Sequence, residues 1–138
     1  MAAIVAEGIA VLITRFAGLA PWEARYGYSR VVVAGDWAIT AGTTATSVDG
    51  VLHTGDPYRQ ALAAFTIALD ALKAAGATAE QVVRTRMYVT DITSQAEVGR
   101  AHLEILGHVR PAATMVEVAR LADPAHLVEV EVEAYIGS

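Results

Sequence analysis

Cysteine is absent from this chain of 138 residues, which excludes a disulfide framework, a thiolate nucleophile and a sulfur-ligated metal site. Charge is scarce: charged residues make up 18% of the chain and leave a net charge of −5 at pH 7. An acidic balance of that size provides no basic face to follow a phosphate backbone, so nucleic acid is not expected as the main partner. Long apolar runs are also missing. The opening MAAIVAEGIAVLITR is interrupted at Glu7-Gly8, has no basic segment ahead of it and falls short of the roughly 20 residues that span a bilayer. Residues 1–15 therefore read as an N-terminal extension feeding the first strand, with residues 16–138 as a single domain, no membrane partner and a cytoplasmic location. Glycine (11) and proline (4) form no cluster that would mark a linker.

What is present is apolar: 54% of residues are hydrophobic, enough for one core and a surplus expected to meet another subunit. After Pro21-Trp22, two β-rich runs at 30–34 and 37–41 flank Gly35-Asp36 and predict a hairpin. Asp56-Pro57 is a helix start, since the carboxylate can accept free backbone N–H groups and proline costs nothing at the first helical position. Leu62, Phe65, Leu69 and Leu72 recur at helical spacing and Gly76 ends the run. Thr78 with Gln81, and Ser94 with Glu97, have capping-box spacing, the second opening a helix through Val98, Ala101, His102, Ile105 and Leu106 to Gly107.

In the strand at 82–89, alternation puts Val83, Thr85, Met87 and Val89 on one face, to pack on helices, and Val82, Arg84, Arg86 and Tyr88 on the other. Arg110-Pro111 leads into a further strand from Thr114, and the last strand at 127–136 alternates valine with Glu129, Glu131, Glu133 and Tyr135. The order β, β, α, β, α, β, β predicts an α+β fold with one mixed sheet carrying two long helices on a single face. The four histidines lie in separate segments without metal-ligand spacing, and His102 is the one placed near a cleft. No phosphate loop, Ser-His-Asp order or dinucleotide fingerprint is visible, so neither metal nor cofactor is implied.

Four segments, YSRVVVAGDWAITAG (28–42), VVRTRMYVTDI (82–92), VEVARL (116–121) and EVEVEAY (129–135), occur in unbroken order across most of the chain and together resemble the RidA/YjgF family. That resemblance implies a homotrimer with three clefts between subunits, binding a small-molecule metabolite; deaminase members of the family hydrolyse reactive imines and enamines. Glu131 falls on the family's glutamate that positions a water. Tyr28 falls on a tyrosine that reaches into the cleft, and Gly42 on a glycine beside the ligand. Ala113 stands where deaminase members carry an arginine that holds the substrate carboxylate, Met115 where many have cysteine and Gly99 where several have a pocket-lining asparagine.

Losing a guanidinium removes a bidentate clamp that no other side chain reproduces. Arg86 and Arg110 are candidates to replace it, against the alternative that each pairs with a glutamate. Glu129, Glu131 and Glu133 equally suit a ladder of ion pairs with Arg84 and Arg86. Two functional readings follow. One is a cofactor-independent hydrolase or deaminase of an imine, enamine or related metabolite, with Glu131 activating water, Tyr28 orienting the substrate and a specificity altered by Ala113. The other is a trimer that binds a small metabolite without turnover.

Overall fold

The computed structural model of the protein describes the backbone of residues 2–6 and 9–138 and the side chains from Leu12 onward. Strands β1 (Ala2–Ala6) and β2 (Ile9–Phe16) precede a short helix α1 (Trp22–Tyr26), and the hairpin β3 (Val31–Ala34) and β4 (Trp37–Thr40) follows. Three two-residue strands come next, β5 (Thr43–Thr44), β6 (Thr46–Ser47) and β7 (Gly50–Val51). Then come α2 (Pro57–Ala74), β8 (Val82–Val89), α3 (Gln95–Leu106), β9 (Ala112–Glu117) and β10 (Val128–Tyr135).

One mixed sheet runs β1-β2-β3-β4-β10-β8-β9, with β5 also paired to β10. Its ladders are antiparallel except that β8 and β9 run parallel. A parallel pair needs a crossover connection, and α3 supplies it. The predicted α+β layer is present, with α2 packed on β10, β4 and β5 and on α3.

Several local expectations change. The strand Ile9–Phe16 pairs with β3, so it runs across the expected boundary at residue 15; Glu7 and Gly8 lie outside the described residues. The helix α1 was not anticipated, being too short for a periodic signal. In β8 the register with β10 slips between Glu133 and Ala134, leaving Val83 as the extra residue of a bulge. Val82 is consequently buried and Val83 exposed, the reverse of simple alternation.

Both long helices owe their ends to local chemistry. Asp56 accepts the Arg59 N–H at 2.9 Å and Pro57 opens α2. At the other end Gly76 takes φ +95 while the Ala77 N–H reaches the Leu72 carbonyl at 2.9 Å and the Gly76 N–H reaches that of Lys73 at 3.0 Å, a Schellman closure. Thr78 donates its N–H to Gln81 Oε1 at 2.9 Å, as its spacing predicts. The Ser94–Glu97 box does not form. A 3-10 turn at Ile92–Ser94 comes first, Asp91 accepts the Thr93 N–H at 2.9 Å, and the Ser94 hydroxyl is directed to the Asp91 carbonyl at 2.6 Å.

The core lies between the helices and one sheet face: Phe65, Leu72, Val98 and Leu106 meet Val31, Val89, Val128, Val130 and Val132, all fully buried. Gln60 is buried among them and uses its amide fully, donating to the carbonyls of Leu52 at 3.2 Å and Ala125 at 2.9 Å and accepting the Leu127 N–H at 2.8 Å. It thereby ties the 118–127 connection to α2, which leaves no polar group of the amide unsatisfied.

Candidate functional site

The other sheet face carries neither long helix, only the short α1 at one end. The pairing of β10 with β8 sets Glu129 opposite Tyr88, Glu131 opposite Arg86 and Glu133 opposite Arg84. Cross-strand neighbours on one face interact, but the contacts run diagonally. Arg86 Nη1 lies 2.6 Å from Glu133 Oε1, and the Tyr88 hydroxyl donates to Glu131 Oε1. That bond to a carboxylate, with burial, raises the Tyr88 pKa, so the phenol stays protonated and remains a donor to Glu131.

Beside this ladder is a cavity of about 290 Å³ lined by Gly42, Tyr88, Arg120, Glu129, Glu131 and the apolar Val118 and Leu121. Gly42 is needed there for close approach. A Cβ at that position would stand 2.9 Å from Glu129 Oε2. Arg30 donates from Nη2 to the Gly42 carbonyl at 2.7 Å, which fixes the backbone facing the carboxylate. Burial pushes the Glu129 pKa up, the charge of Glu131 adds to this, and Arg30 opposes it. The site thus holds two carboxylates in unlike surroundings, one anchored by a phenol and one partly withdrawn from water, a pairing suited to proton transfer.

A second cavity, of about 550 Å³, opens where α1 meets the same sheet, lined by Tyr28, Arg15, Glu23, Ser29, Ile39 and Thr40 among others. Glu23 accepts the Gly18 N–H on both carboxylate oxygens, at 2.8 and 3.1 Å, and this holds the turn that precedes α1. Ala41 lines this cavity and Gly42 the first, so the two are neighbours along the chain.

The expected residues are therefore split. Gly42 and Glu131 share a cavity, and Tyr28 lines the adjacent one. Ala113 and Met115 pair in register with Thr85 and Met87, which puts them on the helix-side face of the edge strand β9. Ala113 is exposed there and Met115 packs against the core. Within one chain they do not face Glu131. Gly99 lies on α3 with open space around it, on the helix side as well.

Neither proposed replacement for the arginine lines the cavity. Arg86 is held by Glu133, as the ion-pair alternative has it, and Arg110 sits in the turn after α3 at φ +57. His102 is not near the cleft but between α3 and β8, its Nε2 2.8 Å from Thr85 Oγ1, with burial lowering its pKa. Sequence reasoning missed three members of the site: Glu129, Tyr88 and Arg120. The alternation of β10 signals Glu129, since it shares a face with Glu131, and Arg120 lies within VEVARL; Tyr88 carried no mark beyond its face. Among the described residues no group of three or more His, Asp or Glu is placed to hold a metal, and no helix is long and apolar enough to cross a membrane.

A family model described as endoribonuclease L-PSP matches residues 19–136. An uncharacterized protein of Streptomyces coelicolor is 44% identical over 118 residues, covering 86% of this chain and 88% of its own. A crystal structure from Mycobacterium tuberculosis, a member of the YjgF/YER057c/UK114 family, is 42% identical with a TM-score of 0.81, covering 91% of this chain and all of that one, 100%. A Yersinia pestis protein of unknown function from the conserved Rid family is 27% identical with a TM-score of 0.73, covering 80% of this chain and 88% of that one.

Proposed function

The chain belongs to the endoribonuclease L-PSP family, the RidA/YjgF group, and from that premise we propose that it acts as a homotrimer whose clefts hydrolyse a small imine, enamine or related metabolite. Homotrimers are typical of the family. The uncovered sheet face supports that assembly, since it exposes Ile39, Trp37, Tyr135 and Val83 beside its charged ladder. Apolar surface of that kind is stabilised when copies cover it.

The observation that carries the reading is the convergence of Gly42, Glu129 and Glu131 in one cavity on that face. Glu131 takes a proton from water as the water oxygen bonds to the imine carbon. The C=N π pair moves to nitrogen, which takes the proton back from Glu131; as the carbinolamine collapses, Glu131 carries its hydroxyl proton to the nitrogen as well, the C–N bond breaks, and amine leaves with a carbonyl remaining. Tyr88 holds the Glu131 carboxylate in place through its hydroxyl. Tyr28, from the adjacent cavity, orients the substrate, and no cofactor enters.

Ala113 offers no clamp for a ligand carboxylate, and this alters specificity relative to arginine-bearing deaminases. The same residue favours a second reading, a trimer that binds a metabolite without turning it over. An ammonia-release screen across imines generated in solution separates the two. Turnover that Glu131→Gln abolishes supports the hydrolase; tight binding with no turnover in the parent protein supports the binding trimer.

A further inference from the structure

Resting on that reading of the cleft, we infer that Arg120 is the anion-binding residue of this protein, holding a ligand carboxylate beside Glu131 from within the same protomer. Four observations carry it. Arg120 is the cation lining the cavity that holds Gly42, Glu129 and Glu131. It is exposed, and among the described residues it forms no ion pair within 4.0 Å although two carboxylates share the cavity. The two arginines that sequence considerations favour are elsewhere, one bound to Glu133 and the other in the turn after α3. Finally, Ala113 lies on the opposite side of β9 from Glu131 within the chain, so residue 113 supplies nothing to this side of the protomer.

Arg120 is also well placed to be specific. Its connection leaves β9 through the Val118 N–H, which reaches the Val89 carbonyl at 2.8 Å. It is fixed downstream by Gln60 at Ala125 and Leu127, and by His126 Nε2, 2.9 Å from Thr46 Oγ1. A guanidinium presents two parallel donors to a carboxylate, a geometry an ammonium does not match. The apolar Val118 and Leu121 on either side leave room for a short aliphatic chain. The ligand class is thus a small monocarboxylate carrying its C=N or C=O close to the carboxyl group, so that the reacting carbon falls near Glu131.

Calorimetric titration of the intact protein with pyruvate and with its uncharged amide, pyruvamide, tests the assignment. Pyruvate is expected to bind more tightly than pyruvamide. Arg120→Gln should weaken pyruvate at least about tenfold and leave pyruvamide unchanged, as loss of a charged hydrogen-bonding partner requires; Arg120→Lys should recover part of the loss. Arg59→Gln, which removes the same charge on α2, should bind pyruvate as the parent does. Equal pyruvate affinity in Arg120→Gln and the parent would overturn the assignment, as would a parent protein that does not bind pyruvate or an equal loss in Arg59→Gln. Failure of the hydrolase reading is distinct: it shows as absent imine turnover while the Arg120 dependence of pyruvate binding persists.

Discussion

The two faces of the central sheet are built from the same strands and differ in almost everything else. On β10 the even positions Val128, Val130, Val132 and Ala134 are fully buried beneath α2, while Glu129, Glu131 and Glu133 stand on the side without the two long helices. A period of two residues lets one strand serve stability and chemistry at once, with each substitution falling on one side or the other. The helix face is densely packed, so volume matters there; the open face is cavity, charge and exposed aromatic, so placement of polar groups matters instead.

The largest effect should come from a change on the helix face. Phe65 is fully buried at the centre of the core, and Phe65→Ala should cost about 3–5 kcal/mol of stability through lost transfer energy and a residual cavity. Urea unfolding at fixed protein concentration measures it. A loss under about 1 kcal/mol would break the contrast, since it would mean that this face tolerates voids as an exposed surface does.

Gly42→Ala sharpens the contrast from the other side. The new Cβ would meet the far end of the Glu129 side chain at 2.9 Å, a flexible group that can swing away. Stability should therefore fall by less than about 1 kcal/mol, while pyruvate affinity drops about tenfold because the cavity wall is displaced. Parallel melting and titration of the variant check both halves. A large loss of stability with unchanged affinity would place Gly42 in the scaffold and not in the site.

Glu129 allows the electrostatics to be read from pH. Its folded pKa is raised above the ordinary 4.5 by burial, so between those two values the folded protein binds more protons than the unfolded chain. By linkage the Glu129 contribution to stability is present below 4.5 and is lost as pH rises through the raised folded value. Glu129→Gln should remove that fall, gaining on the parent as pH increases across the window. Melting temperatures measured for both proteins from acid to neutral pH test it; parallel curves would mean that Glu129 is as well solvated folded as unfolded.

The smallest effect belongs to the most visible ion pair. Arg86 and Glu133 approach to 2.6 Å, but their side chains keep 38% and 26% of their exposure, and solvent screens such pairs. A double-mutant cycle with Arg86→Gln and Glu133→Gln should give a coupling below about 1 kcal/mol. A stronger coupling would mean that the pair is withdrawn from solvent further than its exposure within one chain indicates.

The sequence carried the helix face well and the open face only in part. Spacing of Leu62, Phe65, Leu69 and Leu72, together with Asp56-Pro57 and Gly76, marked α2 because packing and capping leave periodic and terminal signals. Alternation in 127–136 likewise separated valines from glutamates. The bulge at Val83 was not legible, since an extra residue is decided by the partner strand rather than by the strand itself. Nor was the split of the site: Glu131 and Ala113 stand close in the resemblance to the family, yet parallel pairing of β9 with β8 puts them on opposite sides of the sheet within one chain. Glu129 and Arg120 were passed over although alternation and VEVARL carry them, because the burial of one and the missing ion-pair partner of the other arise only when distant segments meet.

The most direct test of the division between faces is a crystal structure of the protein soaked with pyruvate. Density for the ligand against Gly42, Glu131 and Arg120, on the face opposite the two long helices, is the predicted result. Density lodged among α2, α3 and the buried valines, or on the open face without contact to Glu131, would contradict the account.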